Sequence, residues 1–400
     1  MKQSFPLGDP IVYTSEAITN LPWTMPEHNK FKGFILCSIL PPTNLKPVLL
    51  GYRSTSGNFV FTLCAACADL QQILCNHSDA ERSWVSAFTH LELNKALALN
   101  YKVLHVYEVW DYPRWSGVNG EPELFDKYVN SALKLKVEAS GWPFEGEEAR
   151  KEFVDEYHKK EGVRIDPSKV EKNPGKRSIK ITKTPAEFHS IMSDPTLDII
   201  DFVHLNETTD RITVKTKEEF RKESSTTCLP VACFVTSIAR LKLYEYLEQV
   251  KQPLYVDTDS ICYVIGKNDK PLNEGKYLGQ MSREYSDKKI LEFVCGGPKN
   301  YALLLEAQDG TISAELKVRG FPLTYSATQL LTYENLKNHI LAKFRDGKNP
   351  ETIDIPYSNI KRNKKAELLN VDNVKKWRAS FKKGVATPDL FVLPWGYKGP

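Results

Sequence analysis

Two carboxylates two residues apart, Asp257 and Asp259, lie between short apolar runs in the segment Leu254–Tyr263. The flanks, Pro253-Leu254-Tyr255-Val256 and Ile261-Cys262-Tyr263-Val264-Ile265, are rich in β-branched and aromatic residues and read as strands. The residues between them favour turns, so the segment reads as a hairpin. Side chains two apart in an extended chain point the same way, which would project both carboxylates from one face of the tip. Two anions held that close repel unless something cationic sits between them. A hard divalent ion such as Mg²⁺ or Mn²⁺, shared with substrate phosphates, is the natural occupant, and that is the arrangement of two-metal phosphoryl transfer. The plainer reading is a pair of acidic residues capping a turn. The full string Tyr-x-Asp-Thr-Asp-Ser, flanked by strands on both sides, favours the metal site.

A second group is independent of the first. Cys64-x-x-Cys67 followed by Cys75-x-His77 offers four ligands at knuckle-like spacing, and zinc in structural roles takes closed tetrahedral Cys/His sites. Its alternative is two small buried cysteines beside an unrelated surface histidine. Further along, Gly296-Gly297-Pro298-Lys299-Asn300-Tyr301 would place Lys299 and Tyr301 on one face of an extended segment. Lys317-Val318-Arg319-Gly320 sets two cations and a glycine at a strand end, which suits a phosphate contact. Between Pro356 and Gly384, Lys361, Arg362, Lys364, Lys365, Lys375, Lys376, Arg378, Lys382 and Lys383 face only Glu367 and Asp372, with Trp377 and Phe381 interleaved. Such a segment fits either a nucleic-acid backbone or a solvated face.

These side chains need elements to carry them. Residues 31–37 and 59–63 read as strands, Ser83–Leu99 as a helix, and Tyr101–Trp110 alternates as a strand. Glu123–Ser140 reads as a helix ended by Gly141-Trp142-Pro143, and residues 145–183 are polar and charged. Phe234–Val250 is an amphipathic helix leading into the hairpin, and 325–345 and 370–383 read as further helices. The class is α+β, a small antiparallel sheet with helices packed on it. With 41% hydrophobic and 26% charged residues, 400 residues suffice for two or three domains. No apolar run is long enough for a membrane span, and the start lacks a secretion signal. The chain is therefore expected to be soluble and intracellular, with its eight cysteines reduced.

The string Tyr255-Val256-Asp257-Thr258-Asp259-Ser260 resembles motif C of the family B DNA polymerases. The surrounding text is most similar to the protein-primed branch, in particular polymerases of Polinton/Maverick self-synthesising transposons and related viruses. The resemblance spans essentially the whole chain but only the family's C-terminal half. It implies a palm at 1–120 with an inserted subdomain holding the 64–77 zinc knuckle, shortened fingers at 121–183, a palm with the motif C hairpin at 184–325, and a helical thumb at 326–400. It implies nucleotidyl transfer from a dNTP to a DNA primer, in the nucleus, with a terminal protein as a further partner. Asp259 would be the main metal ligand and Asp257 accessory. Lys299 and Tyr301, matching the family's Lys-x-Tyr motif, would hold the primer terminus. Lys317, with Arg319 and Gly320, would touch the template–primer duplex, and Lys134 or Lys136 would approach the incoming triphosphate.

Two family segments have no match. Motif A, with a further catalytic carboxylate, would fall just before Met1. Motif B is interrupted where Asn173-Pro174-Gly175-Lys176-Arg177-Ser178-Ile179 runs directly into Lys180-Ile181-Thr182-Lys183-Thr184-Pro185. Two-metal chemistry needs carboxylates on both sides of the ion pair, so little or no polymerisation is expected of this chain. A non-catalytic DNA-binding remnant, and a reading frame that omits coding DNA, are the alternatives.

Overall fold

A computed structural model describes residues 3–399 except 19, 172–184, 207–208, 221–226, 276, 322–323, 347–351 and 363–366. The segment 173–185, where an interrupted motif B was expected, lies outside the described residues but for Pro185, and Lys364 and Lys365 lie outside them too. The described chain is mixed α and β, built on small antiparallel sheets. No helix among these residues is long and apolar enough to cross a membrane.

Near the N-terminus the strands Ile11–Thr14, Lys102–Asp111, Gly33–Leu40 and Trp84–Thr89 pair in that order, all antiparallel. Alternation buries Ile35, Cys37 and Ile39 of the third strand, and two register irregularities in its pairing with the second bring Val103, Val106 and Val109 to the same side. Against them pack Leu93, Ala96 and Leu97 of the helix His90–Ala98, and Tyr244 of the long helix Leu229–Leu247. Polar contacts also join the two helices. Arg240 pairs with buried Glu92, and the hydroxyls of Thr89 and Ser237 lie 2.6 Å apart. The long helix is thereby anchored to a sheet 148 residues upstream, and it delivers the chain to the 253–263 hairpin.

The helix expected over Ser83–Leu99 is a strand followed by a helix. Trp84 and Phe88 turn inward while Val85 faces solvent, a strand's alternation that pairing with Gly33–Leu40 exploits. Thr89 then starts the helix by accepting the Glu92 amide proton at 3.3 Å. The strands at 33–40, 59–61 and 102–111, and the helices Asp126–Glu138 and Leu229–Leu247, fall where the sequence placed them. The polar stretch after 145 also holds a helix, Glu147–Glu161. Its Phe153 and Tyr157 close a small core with Val163 and Ile165.

The C-terminal part departs further. Residues 368–377 form a strand, not the first part of a helix, so the region 326–400, expected to be helical, is not simply so. Ile353–Arg362 pairs with Leu368–Trp377 along its whole length and meets Leu197–Asn206 through Asn359 and Val203. Thr209–Thr216 completes this four-stranded sheet. The sequence reason is visible afterwards: Asn370, Asp372 and Asn373 are poor helix formers, and Val371 and Val374 prefer strands. The helices expected over 325–345 are Tyr325–Leu330 and Tyr333–Asp346. They cover a core that joins Val294, Ala302 and Val318 to Leu336, Ile340, Ile355 and Trp377, crossing the boundary expected at residue 325.

Candidate functional site: an acidic hairpin and a cysteine–histidine knuckle

Pro253–Asp257 and Ser260–Tyr263 form the expected hairpin, a two-stranded sheet of their own. Asp257 lies opposite Ser260, which leaves Thr258 and Asp259 as the turn. Asp257 therefore ends a strand while Asp259 stands exposed in the loop, so the two are not successive same-face positions of one strand. Among the described residues no third Cys, His, Asp or Glu joins them into a metal-sized cluster.

The cation beside Asp257 comes from the chain itself. Lys299 Nζ reaches both carboxylate oxygens, at 2.8 and 2.6 Å. The Thr258 amide donates to Asp257 Oδ1 at 2.8 Å. Burial would raise the Asp257 pKa, but the Lys299 ammonium and the Thr258 amide outweigh it and hold the carboxyl below its ordinary value. The same bond to Asp257 lifts the pKa of Lys299.

Lys299 is placed by the turn between the strands Lys288–Gly297 and Asn300–Ala307. Its φ is +58°, and its backbone amide donates to the Tyr255 hydroxyl at 2.8 Å. Tyr255 also packs its ring against Tyr301, with centroids 5.0 Å apart, and against Phe293. The hairpin and the Lys299–Tyr301 segment are thus brought together across more than forty residues. Tyr255 and Phe293 were not foreseen as site residues. Tyr255 stood in the hairpin string, whereas nothing local marked Phe293.

Tyr301 lies opposite Lys317 in the three-stranded sheet. Lys317 Nζ binds Glu315 at 2.7 Å, so this ammonium is engaged within its own strand. The Arg319 amide donates to Lys299 O at 2.9 Å, and the Gly320 carbonyl, at a left-handed residue of φ +82°, accepts from Lys375 Nζ at 3.1 Å. Lys134 and Lys136 ride on the helix Asp126–Glu138, with Lys134 Nζ 3.9 Å from Glu138. The cation on Asp257 is Lys299, not either of these.

The four knuckle ligands do converge. Cys64, Cys67, Cys75 and His77 present ligand atoms that all lie within 4.8 Å of one another. Cys64 is the N-cap of the helix Ala65–Leu70, and its sulfur accepts the Cys67 amide proton at 3.3 Å. Gln71, at φ +52°, ends that helix and turns the chain toward Cys75. Ser78 and Glu81 form a reciprocal cap on the next helix, fixing the chain just after His77. The sulfurs of Cys64, Cys67 and Cys75 lie 3.4, 3.3 and 4.0 Å from His77 Nδ1. A zinc tetrahedron with Zn–S of about 2.3 Å and Zn–N of about 2.0 Å has S···N edges of roughly 3.5 Å. The donor set and its spacing fit a metal ion such as zinc. Without one, burial pushes the thiol pKa of Cys64 and of Cys67 up. For Cys75, hydrogen bonds from His77 and from the other two sulfurs outweigh burial and bring the pKa down to about 7.

Compared with models of protein families, with curated proteins and with solved structures, the chain matches none.

Proposed function

We propose that this chain is the palm and thumb part of a family B-type DNA polymerase, gripping primer–template DNA beside the Asp257–Asp259 hairpin. The carrying observation is the approach of two sequence-distant motifs, with Lys299 on Asp257 and Tyr301 against Tyr255. In this reading Asp257 and Asp259 supply one side of a centre for Mg²⁺ or Mn²⁺, and Lys299 and Tyr301 lie where a primer end would meet it. A divalent ion on Asp257 must first displace Lys299 from both oxygens. With no third ligand among the described residues, two carboxylates do not close a metal site. Catalytic steps through such an ion are therefore not assigned to this chain alone. Zinc at Cys64, Cys67, Cys75 and His77 has a structural role here.

The Asp257–Lys299 pair also favours the second reading, a DNA-binding module without nucleotidyl transfer. Lys299 neutralises a carboxylate that a catalytic site would keep for metal. Primer extension with the 400-residue protein, dNTPs and Mg²⁺ or Mn²⁺ tests them: incorporation that depends on Asp259, however slight, supports the first reading, and primer–template binding with no incorporation supports the second. The first reading, for this chain by itself, expects primer–template binding with little incorporation. Incorporation abolished by Asp259→Asn would establish an active centre and overturn the expectation of impaired activity. Absence of any primer–template binding would overturn both readings.

A further inference from the structure

The knuckle is the site on which the end of the described chain is seated. Trp395 is only 5% exposed and shares a small core with Val60, Cys64, Cys67 and Ala68. Its carbonyl accepts from the Leu63 amide at 2.8 Å and from the Thr62 hydroxyl at 3.0 Å. Gly396 follows at φ +81°, so close that an added Cβ would lie 2.4 Å from Cys64 Cβ. The Lys398 amide donates to Thr43 O at 2.8 Å, and Trp395 Nε1 to Lys382 O at 3.3 Å. Residues 382–398 thus form a strap that touches a ligand residue directly.

Two features argue that an ion, and not packing alone, holds the surface on which this strap rests. First, three sulfurs surround one imidazole nitrogen, and a single Nδ1 can share a proton with only one of them. A tetrahedral ion satisfies all four at once. Second, the loop carrying Cys75 buries little of its own, with Ile73 and Leu74 exposed by 66% and 74%. Five buried residues make too small a core to fix it without a cross-link.

We propose that zinc bound by Cys64, Cys67, Cys75 and His77 acts as a clasp, ordering the 382–398 strap on the knuckle and so tying the end of the C-terminal sheet to the N-terminal part of the chain. The clasp rests on the zinc reading of this site and is independent of any polymerase activity. Soft thiolates with one imidazole select zinc over the hard ions suited to the hairpin.

The test uses the full protein, with metal content measured by atomic emission and backbone hydrogen exchange followed with zinc present, after chelation and after zinc is restored. The expected result is equimolar zinc, with roughly tenfold faster exchange over 392–398 after chelation and reversal on re-addition. Exchange over 253–263 should stay unchanged, which controls for global unfolding. Cys75→Ser, in the exposed loop, should reproduce the chelated pattern. Gly396→Ala, which crowds Cys64, should weaken zinc binding by about tenfold, as loss of supporting contacts around a metal typically does. Absence of bound zinc would overturn the metal reading and the clasp with it. Equimolar zinc whose removal leaves 392–398 exchange unchanged would overturn the clasp alone.

Discussion

At the scale of single residues, the acidic hairpin is held by an ion pair between Asp257 and Lys299. Repulsion between two nearby carboxylates called for a positive partner, and the chain supplies Lys299 to Asp257. Residues so far apart in sequence are joined by the fold, which local pattern does not report. A pH dependence follows. Because folding lowers the Asp257 pKa, its contribution to stability is complete above the unfolded carboxylate value of about 3.9 and is lost as pH falls through the lower folded value. Urea unfolding midpoints measured from pH 6 down into that acid range should fall less steeply in Asp257→Asn than in the parent. The buried hydroxyl pair Thr89–Ser237 offers a second check. Ser237→Ala should lower the unfolding free energy by about 1 kcal/mol, since the Thr89 hydroxyl keeps its bonds to Glu92, as read by the same denaturant titration. The cysteine–histidine knuckle was the easier reading, because all four ligands fall within fourteen residues and local spacing nearly determines their approach.

Elements were legible where one face met a core and the period was clean, as in the strands Gly33–Leu40 and Lys102–Asp111 and the helix Leu229–Leu247. They misled where pairing with a distant strand decided the outcome. Trp84–Thr89 carries apolar residues compatible with either period, Leu368–Trp377 carries them at a helix-like spacing of three, and each is a strand because a neighbour completes its ladder. Trp377 shows what the second of these holds in place. Its ring is 1% exposed, stacks edge-on with His339 and donates to Asn300 at 3.3 Å. Trp377→Ala should cost about 3–5 kcal/mol in a denaturant titration. If 368–377 were instead an amphipathic helix, alternating hydrogen-exchange protection along 353–362 would vanish, whereas paired strands should protect both segments together.

For the whole molecule, the α+β class followed from the mixture of periods along the chain. The division into units was harder to read, since the sheet that joins 197–216 to 353–377 and the core that joins 294–318 to 327–377 depend on long-range pairing. Charge distribution is the whole-molecule feature that bears on the proposed DNA binding. Lys361 and Lys375 share one face of the paired strands 353–362 and 368–377, and Lys375 also reaches Gly320 beside the Lys299–Tyr301 segment. If these two lysines neutralise one phosphate each, they should contribute about −2 to the slope of the logarithm of duplex affinity against the logarithm of salt. Replacing Lys361 and Lys375 together by alanine should flatten that slope by about 2. Replacing Asp257 and Asp259 together by asparagine should leave binding in place.

The measurement closest to the central claim is fluorescence anisotropy of a labelled primer–template duplex against the same template single-stranded, across a salt series, with the parent protein and the Lys361→Ala, Lys375→Ala pair. The expected result is preferential, salt-dependent binding to primer–template that weakens and loses salt slope in the double variant. Binding that is absent, or equal for both DNAs and insensitive to the two lysines, would contradict the account.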